Sequence, residues 1–196
     1  MKRIRTLSLL AIAAIFVFSF KSASDSYTLD VGHTYIGFDV ERFMVGEVSG
    51  RFNEFSGDLT MEGDDLSTLQ VDVTIQVNSL DSNNETRDGH LKSGIWLNAP
   101  EHPEIKFSST GISGSEGNYR MTGDLTIRGV TKSLEFPVEL SGPFQDPTRQ
   151  QTVGIKADLE IDRFDYGISF SKTMDNGVLF IGKTVKIKIR ALAQKK

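Results

Sequence analysis

From Tyr27 onward, apolar and polar residues alternate with a period of two, the signature of strands with one wet face. Over residues 33–41, Thr34, Ile36, Phe38 and Val40 share one face, while Tyr35, Gly37, Asp39 and Glu41 share the other. The same alternation predicts strands over 48–55, 59–62, 69–77, 104–109, 119–127, 134–140, 153–161 and from Val185 to near the end. Gly46, Ser56-Gly57-Asp58, Gly63-Asp64-Asp65, Arg128-Gly129 and Gly142-Pro143 read as breaks between them. Three glycines over 111–117 superficially echo a phosphate-binding loop. No Lys-Ser/Thr ending and no helix signal follows, so a hairpin connection is expected there.

One stretch, 79–107, departs from the alternation. Its polar part gathers Arg87, Asp88, His90 and Lys92, and predicts a short helix ending at Lys92, with Asn84 as N-cap and Gly94 as stop. The single tryptophan, Trp96, follows, and His102-Pro103 leads into the next strand. Eight or nine strands, one short helix and no βαβ rhythm point to an all-β antiparallel fold. A sandwich and a closed barrel both bury such faces. Strands of nine residues favour the barrel, and about eight of them leave room for side chains or one slim ligand.

At 196 residues, 38% apolar and 24% charged, the chain fits one globular domain. The absence of cysteine excludes disulfides, thiol nucleophiles, cysteine-bound metals and a lipidated cysteine. Lys2, Arg3 and Arg5 precede an apolar run over 7–20, interrupted only by Ser8 and Ser19, with small residues after it. That run falls short of the ~20 residues of a membrane span. Residues 1–24 are therefore expected to be a signal peptide cleaved near Ser24, the alternative being an uncleaved anchor. They hold four of the 22 basic residues and none of the 26 acidic ones, so residues 25–196 carry a net charge of −8. Such a balance repels nucleic acid, and no polybasic run favours an anionic membrane surface. A homodimer is left open.

The candidate chemistry is sparse. Arg87 and Asp88 can pair and fix a loop, or, with His90, can meet a polar ligand. His33, with Asp30 and Thr34 nearby, reads either as a ligand contact or as a hydrogen-bonded strand end. His102 reads as an exposed loop residue. The three histidines are far apart in sequence and form no metal-binding spacing, so no metal site is expected. No Gly-x-Ser-x-Gly elbow is present, and Asn84-Glu85-Thr86, a glycosylation sequon, is taken as chance. Phe38, Phe52, Trp96, Phe107, Phe136, Phe164 and Phe170 line a lumen or fill a core. Periodicity does not decide which.

Seven blocks in order carry a family resemblance. They are His33-Thr34-x-Ile36-x-Phe38-x-Val40, Gly50-Arg51-Phe52-Asn53-x-Phe55-x-Gly57 and Arg87-Asp88-x-His90-Leu91-Lys92-Ser93, then Pro103-x-Ile105-x-Phe107-x-Ser109. The run from Gly123 to Lys132, Asp162-Arg163-Phe164-Asp165-Tyr166-Gly167 and Gly182-Lys183-Thr184-Val185 complete them. Over about 27–193 the chain resembles the YceI family of lipocalin-like proteins. The resemblance implies an extended eight-stranded antiparallel lipocalin-like β-barrel with a short helical lid over residues 25–196. It also implies an apolar lumen holding a long isoprenoid lipid, such as a polyprenyl quinone or isoprenyl phosphate, and a periplasmic or secreted location. The expected function is an exported carrier or reservoir with no catalytic residues and no cofactor beyond that lipid. The aromatics above, with His33, Arg42, Arg87 and His90, are the expected ligand contacts. Arg42 stands where many family members carry a second histidine, and so favours an anionic head group or is a solvated rim residue. The rivals are an enzyme acting on such a lipid, or a hydrolase using Asp88 and His90, and a secreted barrel whose partner is another protein.

Overall fold

The structure, a computed structural model, describes residues 24–196. The export-signal expectation for residues 1–24 lies outside the described residues, apart from Ser24. Eleven strands form one sheet. They are β1 (Ser24–Leu29), β2 (Tyr35–Arg42), β3 (Gly46–Phe52), β4 (Phe55–Glu62), β5 (Asp65–Gln76) and β6 (Leu80–Asp81), followed after the helix α1 (Glu85–Lys92) by β7 (Glu104–Ser113), β8 (Tyr119–Ile127), β9 (Val130–Gln145), β10 (Gln151–Asp162) and β11 (Ile181–Lys195). Every pairing is antiparallel, and β1 returns to pair with β11, so the sheet closes on itself.

Three pairs of short strands are halves of longer ones. β1 and β2 lie end to end along β11, interrupted by a 3-10 turn at Val31–His33. β3 and β4 flank the two residues Asn53 and Glu54, and β5 and β6 flank the 3-10 turn Val77–Ser79. Counted as continuous ribbons, eight strands make the barrel, each beside its neighbour in sequence. The sandwich alternative is thereby excluded. Ile36, Phe38 and Val40 of β2 line the interior. Lys156, Asp158 and Glu160 of β10 pair across with Arg190, Lys188 and Lys186 of β11 on the opposite face. Charge outside and grease inside is the reverse of an outer-membrane barrel.

Two sequence expectations need correction. Ser56-Gly57-Asp58 is no turn but lies within β4. Gly57 is there for space, since a Cβ on it would sit 2.6 Å from Leu29 Cδ1. Gly142-Pro143 does not end its strand either: these two residues of β9 face the single Val153 of β10 as a bulge, and β9 continues to Gln145. The helix forms where predicted and ends at Lys92, with Asn84 Oδ1 accepting from Arg87 N at 2.9 Å; Ser93 is its C-cap and Gly94 follows directly.

The two ends of the barrel differ. At the end that carries the β4–β5, β7–β8 and β9–β10 turns, Tyr27, Leu59, Met61, Leu69, Val153 and Ala193 are at most 1% exposed and meet across the interior. None of them borders the hollow that occupies the other end, beneath α1 and the segment between β10 and β11. On the outer face, Asp39 is only 5% exposed. It links three strands: Ser49 Oγ of β3 donates to it at 2.5 Å and Lys188 Nζ of β11 lies 2.5 Å from its other oxygen. Burial pushes its pKa up, but the Lys188 and Ser49 hydrogen bonds outweigh that and hold it below the usual carboxylate range.

Two outcomes test this description. Leu59→Ala, in the solid end, is expected to lose about 2–5 kcal/mol in urea unfolding, and Leu159→Ala, on the hollow's wall, less than half of that, because it enlarges a space already empty. A carboxyl held below its unfolded value adds stability that is complete above about pH 4 and is lost as pH falls through the folded value. Asp39→Asn is therefore less stable than wild type at pH 7, and its urea midpoint falls less steeply below about pH 4.

Candidate functional site

The hollow has a volume of about 740 Å³, within the ~300–1,000 Å³ typical of ligand sites. All eight ribbons contribute inward residues: Ile36, Phe38 and Val40; Val48 and Phe52; Val71, Val73 and Ile75; Ile105 and Phe107; Met121, Leu125 and Ile127; Leu134, Phe136 and Val138; Ile155, Ala157, Leu159 and Ile161; and Val185, Ile187, Ile189 and Ala191. The aromatic rings stay near the wall. Phe38 and Phe52 meet at a tilt with ring centres 6.0 Å apart, and Phe107 and Phe136 likewise at 5.8 Å. Two glycines make that arrangement possible. A Cβ on Gly50 would lie 2.5 Å from Phe38 Cζ, and one on Gly123 would lie 2.4 Å from Phe107 Cζ. Each ring therefore lies over bare backbone instead of crossing the lumen.

Helix α1 covers the opening. Asn84, Thr86, Arg87, His90, Leu91 and Ser93 all border the hollow from this side. The lid is tied down through Ser82, which is 5% exposed. Ser82 N donates to Asp88 Oδ1 at 2.9 Å, and Ser82 Oγ also donates to that oxygen. Arg87 Nε donates to Ser82 Oγ at 2.8 Å and Arg87 Nη2 to Ser82 O at 2.5 Å. Arg87 and Asp88 thus meet at Ser82 rather than pairing with each other. Nothing in a lone serine within a polar run signals that role.

The second cover is the segment between β10 and β11, and Arg163 holds it. This guanidinium is 2% exposed. Its Nε donates to Gly182 O at 2.9 Å, Nη1 to Ile168 O at 2.6 Å, and Nη2 to Phe170 O at 2.7 Å and Ile181 O at 3.1 Å. Four carbonyls replace water around the charge. Burial pulls the guanidinium below its ordinary value, with Asp162 opposing. Trp96 packs against Phe170 at 5.2 Å, and Arg163 lies 5.4 Å above the Trp96 ring. Tyr166, 1% exposed, is also part of the wall. Its hydroxyl has no hydrogen-bond partner among the described residues, and burial pushes its pKa up to about 12, so it is a neutral phenol.

Of the residues proposed from sequence, Phe38, Phe52, Trp96, Phe107, Phe136, Phe170, Arg42, Arg87 and His90 all border the hollow. His33 and Phe164 do not. His33 Nδ1 bonds Asp30 Oδ2 at 2.8 Å with its side chain 76% exposed, because it belongs to the turn that bends β1 into β2. Phe164 is 37% exposed and stacks under Arg163 at 4.4 Å. His102, expected in an exposed loop, is partly buried, with its ring over Gly129. Arg163, Tyr166, Phe43 and Phe180 are wall residues that the sequence reading did not single out. Every charged side chain on this wall is cationic: Arg42, Arg87 and Arg163, with no carboxylate among the described residues. No cluster of potential metal ligands occurs among the described residues.

Residues 27–193 match the family model described as a YceI-like domain. A UPF0312 protein of Staphylococcus aureus strain MSSA476 is 36% identical over 169 residues, covering 85% of this chain and 95% of the relative. Among solved structures, Burkholderia cenocepacia BcnA aligns with TM-score 0.71 at 21% identity, over 84% of this chain and 98% of its own. A Campylobacter jejuni YCEI protein aligns with TM-score 0.66 at 26% identity, over 87% and 98%. A domain from Saccharophagus degradans, described as polyisoprenoid-binding, aligns with TM-score 0.68 at 15% identity, over 87% and 98%, a likeness of fold.

Replacing Arg163 tests the clasp. A lysine supplies the charge but cannot reach four carbonyls in one plane. Arg163→Lys is expected to lose about 2–4 kcal/mol in urea unfolding, through buried acceptors left unpaired. Limited proteolysis should cut between Gly167 and Phe180 well before the barrel unfolds.

Proposed function

The chain belongs to the YceI-like family, and from that premise we propose that it is an exported binding protein that holds a long isoprenoid lipid in its lumen. It acts as a carrier or reservoir, in the periplasm or secreted medium. The observation that carries this reading is the hollow itself: an apolar bore closed at one end and covered by α1 at the other. A hydrocarbon tail fits such a bore because each CH₂ it buries contributes ~0.8 kcal/mol and needs no polar partner. The Saccharophagus degradans domain of the same fold, described as polyisoprenoid-binding, supports a tail of this kind. Arg42, Arg87 and His90 at the covered end suit a head group rich in acceptor oxygens, a quinone or an isoprenyl phosphate. The neutral Tyr166 hydroxyl offers one further donor.

Binding rather than catalysis is favoured because the rival constellation is not assembled. Asp88 is engaged by Ser82, and no hydrogen bond joins it to His90 among the described residues.

Native mass spectrometry of protein isolated from its host is expected to reveal a hydrophobic adduct. Ala157, 4% exposed and facing the bore, is the place to block it. Ala157→Phe puts a ring where the tail lies, and displacing even two CH₂ groups weakens retention roughly tenfold or more. An empty wild-type protein that also ignores added polyprenyl quinones and phosphates would sink this function.

A further inference from the structure

Large apolar side chains gather in the open at one place on this molecule. The β2–β3 hairpin ends in Phe43, Met44 and Val45, which are 38%, 58% and 92% exposed. Ile95, just past α1, is 63% exposed. Phe43 and Ile95 also border the hollow, so the exposed patch and the apolar wall form one continuous surface. Val31, Tyr35, Phe144 and Phe164 are exposed elsewhere, but none of them borders the hollow, and scattered single residues of this kind are ordinary.

The hairpin tip is built at a cost. Val45 N reaches Arg42 O at 3.4 Å, and the two residues between them have positive φ, 55° at Phe43 and 63° at Met44. Asn-Gly is the ordinary choice for such a turn, and bulky side chains rarely adopt this backbone. The surroundings hold it there: Phe43 N donates to Phe180 O at 3.0 Å and the two rings meet edge-to-face at 5.2 Å. Two cations back the rings, Arg42 over Phe43 at 4.7 Å and Lys172 over Phe180 at 4.9 Å. At the closed end the turns carry Asp64, Glu116 and Asp146, with Arg149 beside the last. The exposed apolar cluster that borders the hollow, with its guanidinium, thus lies at the open end.

We propose that the open end docks on a lipid bilayer. Phe43, Met44, Val45 and Ile95 enter the boundary between head groups and acyl chains, and Arg42 and Lys172 meet lipid phosphates. A tail then passes from bilayer to bore along apolar surface, with no step through water. This inference rests on the lumen being a lipid site. The docking is reversible, because a few side chains insert and residues 25–196 carry a net charge of −8.

The chain has no cysteine, so Val45→Cys in the full-length protein carries a single environment-sensitive label. Glu116→Cys, in the β7–β8 turn, labels the closed end for comparison. With vesicles of phosphatidylcholine and phosphatidylglycerol, the label at 45 is expected to shift to the blue and to be quenched by spin-labelled lipid, while the label at 116 stays in water. Equal behaviour at both positions overturns the proposal, since the N-terminal segment common to both would then account for membrane association. A shift at 45 that grows with protein concentration and needs no vesicles also overturns it, because a second copy then covers the tip. The double change Met44→Asp with Val45→Asp is expected to lower vesicle partitioning about tenfold or more, while leaving uptake of a polyprenyl phosphate from detergent micelles intact. Uptake from micelles without burial of position 45 removes the docking face and keeps the lipid site. Burial of position 45 in a protein that takes up no isoprenoid from micelles removes the function proposed for the bore and, with it, the tail transfer inferred here.

Discussion

Strand β11 holds three neighbours at once, and the rest of the molecule depends on it. It pairs with β10 from Thr184 to Gln194, with β2 over its first two-thirds and with β1 at its end. That double return turns an open meander into a closed barrel, which has no edge to protect. One strand cannot follow β11 straight along its length, so the first ribbon bends at Val31–His33. Asp30 stabilises the bend, accepting from Gly32 N at 3.0 Å and bonding His33 Nδ1. His33, which sequence motifs present as a ligand contact, thus serves closure. Eight ribbons then set a diameter at which inward side chains either meet or leave a narrow bore, and this barrel does both.

The strands and their inward faces were legible because period-two alternation records which side of a sheet is dry. The helix was legible because Asn84 is a residue that caps and the residues around it do not alternate. The division into a solid end and a hollow end was not legible. Tyr27 and Phe38 occupy equivalent places in the pattern, yet one is packed against Leu59 and its neighbours and the other lies against Gly50. Whether facing side chains touch depends on what several distant strands contribute at one height of the barrel, and no local period carries that. Polar anchoring was hidden for a different reason. Arg163, between Asp162 and Phe164-Asp165, reads as part of a charged surface, but its partners are main-chain carbonyls. Carbonyls belong to every residue type, so a buried arginine satisfied by them leaves no compositional trace. Gly57 failed in the opposite direction: a glycine between Ser and Asp reads as a turn, and here it makes room for Leu29.

The two buried charges show how differently a charge can be kept from water. Asp39 is covered on the outer face and is met by a cation and a hydroxyl from the flanking strands. It joins β3, β2 and β11, the three ribbons on which closure turns. Arg163 has a carboxylate next to it in sequence, but Asp162 accepts from Phe164 N and caps the following turn instead. The guanidinium spends its fork on loop carbonyls, and in doing so fixes a segment that has little regular structure of its own. A lysine or a neutral side chain could not organise four acceptors from two separate stretches of chain.

A bore lined with apolar side chains that do not meet across it gives up contacts that a solid core would have. The fold bears that loss because Tyr27, Leu59, Met61, Leu69, Val153 and Ala193 supply dense packing at the closed end. The glycines opposite Phe38 and Phe107 let those rings lie against the wall, since a Cβ there would sit 2.5 Å and 2.4 Å from ring atoms. With the rings held there, the space between the walls stays open. An apolar chain entering the bore restores the missing contacts and binds the folded state alone, so it adds stability in proportion to its occupancy. The closed end therefore carries the fold, and the open end is left to take its contacts from a guest.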